Sequence, residues 1–306
     1  MFFKLIHNEN IKTSYRLSTW IMMGLLVVAV LLTTFIGGYK QPADGQADLQ
    51  KGIEKNTAIL NDKEADEDAK EMAQKEIAKS EYLLANHIKP YTIHTYLDNG
   101  QGMIVFFGAF FGIIIAANSV ASEFSTGTIK LLLIRPIHRF KILLSKYVSA
   151  LFSTASLLLL GILLFLVVGG LLLGFEGITA SHAVMQGDHL VKETFLYTWS
   201  KSFLLSLILP FFVITFTFMI STVFRNNGLA IGLSMAAYFG GNIATLFMLK
   251  YKWVKFTPFI HMDYLSSGDA LIKGMTTSSS SIVLGAYFLL FLAIAMITFK
   301  KRDIAI

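Results

Sequence analysis

The sequence predicts an all-α polytopic membrane protein with six transmembrane helices, and three observations carry that prediction. The chain of 306 residues is 54% hydrophobic and only 15% charged, with a mean hydropathy of +0.60, where soluble domains carry about 25% charged residues. Its apolar residues gather in six runs, each close to the roughly 20 helical residues that cross a hydrocarbon core of about 30 Å. Those runs are continuous. A membrane β-barrel would instead show short segments alternating apolar with polar residues.

The elements follow in chain order. In residues 1–17, Phe2, Phe3, Leu5, Ile6 and Ile11 are interspersed with Lys4, His7, Lys12 and Arg16. That pattern suits an interfacial elbow helix in the headgroup layer, with a mobile tail as the alternative. Span 1 is placed at 18–38. Its run exceeds the apolar core of about 7 to 15 residues in a secretion signal, and no small-x-small pattern precedes Tyr39, so it reads as an uncleaved span. Residues 39–101 change character: the stretch KEADEDAKEMAQKEIAKSEYLLA is rich in Ala, Glu and Lys, all strong helix formers. Apolar positions at Leu49, Ile53 and Leu60, then Ala69, Ala73, Ile77, Leu84 and Ile88, predict an extracytoplasmic helical hairpin turning near Asn61 and Asp62. It serves either substrate contact or as a solvated spacer. The acidic run Asp66, Glu67, Asp68 lacks the spaced ligands and Gly of a calcium loop and reads as a helix N-terminus.

Span 2 is placed at 102–121, where Gly108 and Gly112 form a GxxxG that permits close helix packing. A cytoplasmic loop fills 122–146, and spans 3, 4 and 5 follow at 147–174, 202–224 and 228–249. Pro210 is positioned to kink the fourth. Residues 250–280, with Trp253, Pro258, Phe259 and Tyr264, read as an outer hairpin or an interfacial aromatic belt. Span 6 at 281–299 leads into a basic tail, 300–306.

Orientation comes from counting cations. With the N-terminus inside, 12 of the 26 Lys and Arg face the cytoplasm. Eight of the other 14 lie in the long 39–101 loop, and long loops weigh little in the positive-inside rule. Both termini are therefore expected in the cytoplasm. Lys250, Lys252 and Lys255 run against the count.

Several function classes lose support. The formal charge of +6 and pI near 9.3 come largely from residues that flank spans, so nucleic acid is not an expected partner. Zero Cys removes disulfides and thiolate chemistry. Among the seven His, His87 and His94, and His182 and His189, are seven apart, but a third ligand is missing, so no metal is expected. No GxxxxGK[ST], G-x-S-x-G or H-E-x-x-H run occurs, and no span carries a charged residue in its middle. The chain is not expected to be an enzyme or an ion-coupled carrier.

The informative segment is EFSTGTIKLLLIRPIHRFKILLSK, from Glu123 to Lys146, with five Lys or Arg between two apolar runs. Glu123 lies just inside the interface and must find a basic mate. Gly127 permits a turn, Thr128 can cap, and Pro136 ends a helix, while Lys130, Arg135 and Arg139 can hold phosphates or acidic residues of a docked protein. Glu123, Gly127, Thr128, Lys130, Leu131, Leu132, Pro136 and Arg139, followed by Lys146, resemble the coupling loop of type-2 ATP-binding cassette (ABC) export permeases. The layout of inside elbow helix, first span, long outer loop and four further spans ending in a basic tail resembles the bacterial subgroup with a separate ATPase, including bacitracin and lantibiotic resistance exporters.

That resemblance implies a transmembrane permease subunit of an ABC exporter in the bacterial cell membrane, paired with a second permease copy. Its energy would come from ATP and Mg bound by a separate ABC ATPase, with no cofactor in this chain. The implied cargo is an amphipathic peptide, an antibiotic or a lipid-linked molecule. The alternative is a non-transporting membrane sensor or immunity protein that binds such a molecule.

Overall fold

The computed structural model describes residues 2–37, 45–62, 66–85, 93–129, 137–175, 178, 181–186, 189–267, 272 and 274–301. In chain order these form α1 (Phe2–Ser14), α2 (Leu17–Ile36), α3 (Gly45–Asn61), α4 (Glu67–Ala85), α5 (Ile93–Ser125) and α6 (Arg139–Leu173). A β-hairpin follows, β1 (Ser181–Gln186) and β2 (His189–Thr194), then α7 (Phe195–Ser206), α8 (Ile208–Phe224) and α9 (Asn227–Met248). A short 3-10 helix (Lys252–Phe256), α10 (Pro258–Ser267) and α11 (Thr277–Lys301) complete the chain.

The architecture is helical, and five segments are long and apolar enough to cross a bilayer: Leu17–Ile36, Ile93–Ser125, Arg139–Leu173, Phe195–Phe224 and Thr277–Lys301. The helix α9 lies outside that set. It nevertheless runs for 22 residues without a charged side chain. The hairpin is a departure from an all-α chain. It occupies the stretch between the third and fourth apolar runs, to which the sequence reading assigns no element, with Val184 paired to Val191 in antiparallel register.

Pro210 interrupts the fourth apolar run for a single residue. Helix α7 ends at Ser206 and α8 begins at Ile208, because Pro210 has no N–H to give to the Ser206 carbonyl. Leu207 between them keeps right-handed helical angles, and the two run on as one segment, Phe195–Phe224. Pro210 then sits in the first turn of α8, where a missing donor costs little.

Contacts divide the chain into two compact units. The first holds residues 1–30, 101–164 and 197–306. Helix α8, apolar on every side, is its centre: Phe212, Ile214 and Phe218 are buried, as expected of a helix that is enclosed all round. It packs against α9 and α11. Tyr147 of α6 and Thr215 of α8 share a hydrogen bond of 2.8 Å, and Met22 and Leu26 of α2 pack with Phe111, Ile115, Ala150 and Leu157. By contrast, Trp20, Leu25, Ile282 and Leu289 are exposed, the kind of surface that acyl chains cover.

Gly108 and Gly112 face helices of the same chain. A Cβ on Gly108 would collide with Leu158, and one on Gly112 would lie 2.7 Å from Ile214 Cδ1 and 3.3 Å from Thr154 Cγ2. These glycines let α5 approach α6 and α8.

The second unit holds residues 31–100 and 165–196. In it α3 packs on α4, with Leu49, Ala73 and Ser80 buried. Tyr96 is fully buried: its ring lies 5.2 Å from that of Phe165, and its hydroxyl bonds to Thr34 Oγ1 at 2.6 Å.

Candidate functional site

The candidate site is an ionic cluster in the first unit, built where α5 ends and α6 begins. Glu123 lies in the last turn of α5, the end at which the helix dipole disfavours negative charge, so its carboxylate needs cations from elsewhere. Lys146 supplies one from α6, with Nζ 2.6 Å from Glu123 Oε1 and 2.9 Å from Glu9 Oε2. Lys12 supplies the other, at 3.3 Å from Glu123 Oε1 and 2.8 Å from Glu9 Oε1. Two carboxylates and two ammonium groups therefore form a neutral square across α1, α5 and α6.

Burial makes the square consequential. The Lys146 side chain is 1% exposed, Glu123 10% and Glu9 15%, while Lys12 remains 46% exposed. A buried ammonium is tolerated only with such partners. Burial alone would raise the Glu9 carboxyl, but the Lys146 charge and hydrogen bonds from Lys12 and Lys146 outweigh it and hold Glu9 below its ordinary value of 4.5. Burial likewise disfavours the Lys12 charge, yet Glu9 and Glu123 outweigh it and leave Lys12 above its ordinary 10.5.

Neutral contacts fix the same geometry. Ser149 of α6 donates to Asn10 Oδ1 of α1 at 2.6 Å, and the Thr19 hydroxyl donates to the Thr13 carbonyl at 2.5 Å, folding α2 back on α1. Gly127, with φ of 71°, turns the chain out of α5 by taking the left-handed conformation that ends many helices. Arg225, also left-handed at φ 54°, ends α8 and lays its guanidinium 4.5 Å over the Phe124 ring. Asn227 donates to Asn118 at 2.8 Å. The cluster thus borders the α5 end, the α8–α9 turn and the α6 start together.

Comparison with known proteins was decisive for the family. Residues 70–305 match the family described as "Protein of unknown function (DUF2705)". The chain belongs to that family. It is 34% identical to the "Uncharacterized protein YhcI" of Bacillus subtilis (strain 168), over 98% of this chain and 99% of that protein. It is also 30% identical to the "Uncharacterized membrane protein YdbK" of the same organism, over 63% of this chain and 76% of that one. Together with the five apolar helices, this supports a membrane protein.

Within this DUF2705 chain, the loop residues singled out from sequence fall into four groups. Glu123 joins the cluster, and Lys146 of the same loop is its main partner. Gly127 and Thr128 lie just beyond α5, Thr128 exposed and its hydroxyl 2.9 Å from that of Thr126, while the apolar Ile129 that follows is buried. Arg139 opens α6, with Nη1 3.4 Å from the Lys300 carbonyl. Lys130, Arg135 and Pro136 lie outside the described residues, as do Leu131 and Leu132.

Glu9 escaped the sequence reading, and so did Asn10 and Ser149. One signal was available: Glu9 is the lone acid among residues 1–16, three positions before Lys12, a spacing that puts both side chains on one helix face.

Proposed function

We propose that this chain is the permease subunit of an ATP-driven exporter, with six helices crossing the bacterial cell membrane, α9 being the sixth, and both termini in the cytoplasm. The observation that carries the reading is the ionic square of Glu9, Lys12, Glu123 and Lys146, in which Lys146 and both carboxylates are withdrawn from water. It ties both flanks of the 126–138 segment to α1. A push on that segment by a docked ATPase would therefore move α5, α6 and α1 as one body, since buried charges cannot separate cheaply. In this reading α1 is an elbow lying in the cytoplasmic headgroup layer, and Lys130, Arg135 and Arg139 meet acidic residues of the ATPase.

The resemblance of the Glu123–Lys146 segment to ABC export permeases supplies the partner class: a separate ABC ATPase that binds ATP and Mg. The cargo class is an amphipathic peptide, antibiotic or lipid-linked molecule expelled between two permease copies.

The test is purification of the chain from its own host in mild detergent. A co-purifying ABC ATPase whose activity rises on addition of this chain supports the proposal, and the charge reversals Arg135→Glu and Arg139→Glu should abolish that rise while leaving the melting temperature unchanged. Full stimulation in the reversed variant would remove the docking role. Drug protection that survives loss of the ATPase's hydrolytic residue would favour the sensor or immunity reading instead.

A further inference from the structure

Beside the ionic square lies a cleft of about 650 Å³ whose lining includes Lys12, Arg16, Ser18, Asn118 and Glu123. Two of these carry unused capacity of opposite sign. Arg16 makes no side-chain ion pair with the described residues, and it stands next to the start of α2, where the first N–H groups of a helix lack intrahelical acceptors. Glu123 is 7% exposed, and while its Oε1 takes Lys146 and Lys12, its buried Oε2 has no partner among the described residues.

A carboxylate oxygen withdrawn from water without a donor is costly, and an acceptor of this kind favours a ligand that brings an N–H. A bare phosphate would suit Arg16 and Lys12 but would bring negative charge to Glu123. A bare amine would suit Glu123 and leave Arg16 unused. A phosphate carrying a primary ammonium two carbons away answers both. Choline cannot take its place, because a quaternary nitrogen has no N–H to donate.

We propose that this cleft holds the phosphoethanolamine headgroup of an aminophospholipid, its phosphate on Arg16 and Lys12 and its ammonium on Glu123 Oε2. The lipid source follows from position. The cleft is lined in part by Lys12, Arg16 and Ser18, at the junction of α1 with α2, the first helix apolar enough to enter a bilayer. The site does not depend on transport or on an ATPase.

The test uses the purified full chain in detergent, titrated with phosphatidylethanolamine, phosphatidylcholine and phosphatidylglycerol of matched acyl chains, with bound lipid counted by native mass spectrometry. Phosphatidylethanolamine is expected to bind at least about tenfold more tightly than the other two, the worth of one charge-assisted hydrogen bond. Equal retention of phosphatidylcholine would overturn the ammonium contact, and equal or tighter phosphatidylglycerol would reduce the cleft to a general anion site and overturn the proposal.

Glu123→Gln should erase the preference, but it also loosens the ionic square. Arg16→Gln lies outside the square and is the cleaner variant: a loss of about tenfold in phosphatidylethanolamine affinity is expected, with the melting temperature unchanged. Undiminished binding in Arg16→Gln would overturn the phosphate contact. Soluble phosphoethanolamine should compete with the lipid and inorganic phosphate should not; competition by inorganic phosphate alone would count against the amine.

Discussion

Replacing Lys146 with Met removes the only fully enclosed cation of the ionic square while keeping the length and apolar stem of the side chain. The two carboxylates that Lys146 held at 2.6 and 2.9 Å are then left with Lys12, which is 46% exposed and well screened by water. One buried negative charge goes uncompensated. Removing one partner of a buried pair costs about 3 to 5 kcal/mol. In a chain of this size each kcal/mol moves the melting temperature by about 2 °C, so Lys146→Met should melt roughly 6 to 10 °C lower. The assay is a fluorescence melt in detergent at fixed scan rate, because unfolding of such proteins is seldom reversible. Adding Glu9→Gln to Lys146→Met restores charge balance and should recover at least about half of the loss, a coupling that independent sites would not show. A Lys146→Met protein that melts within about 1 °C of the parent, or a double variant whose losses simply add, would refute the reasoning.

Three further outcomes follow from other contacts. Because the Glu9 carboxyl is held below its ordinary 4.5, the stability it contributes is complete above that value and disappears as pH falls through the depressed one; the melting difference between parent and Glu9→Gln should therefore persist at neutral pH and close only in acid below 4.5. Gly112→Val would drive a side chain against Ile214 and Thr154, both fully buried, and overpacking of that kind costs about 1 to 3 kcal/mol, read as a lower melting temperature. Tyr147→Phe removes the 2.8 Å bond to Thr215 at a cost of about 1 kcal/mol or less, so the variant should melt only slightly lower, and a drop as large as that of Lys146→Met would contradict the ranking.

Hydropathy is a local property, so the helical class and the long apolar helices could be read directly from residues such as those of Leu17–Ile36 and Thr277–Lys301. Position along the chain also announced that Glu123, one turn from the end of an apolar helix, would demand a cation. What linear order leaves open is every choice made between distant residues. Lys146 finds Glu9 across 137 positions, and Gly108 and Gly112, small residues suited to any close neighbour, meet Leu158 and Ile214 of their own chain. The missing N–H of Pro210 announced a disturbance but not its form, a one-residue interruption at Leu207. Composition states which side chains are unsuited to lipid or water. Which partner relieves each of them depends on helix packing, because a salt bridge or a close contact exists only once two surfaces are within a few ångströms, and no local pattern encodes that distance.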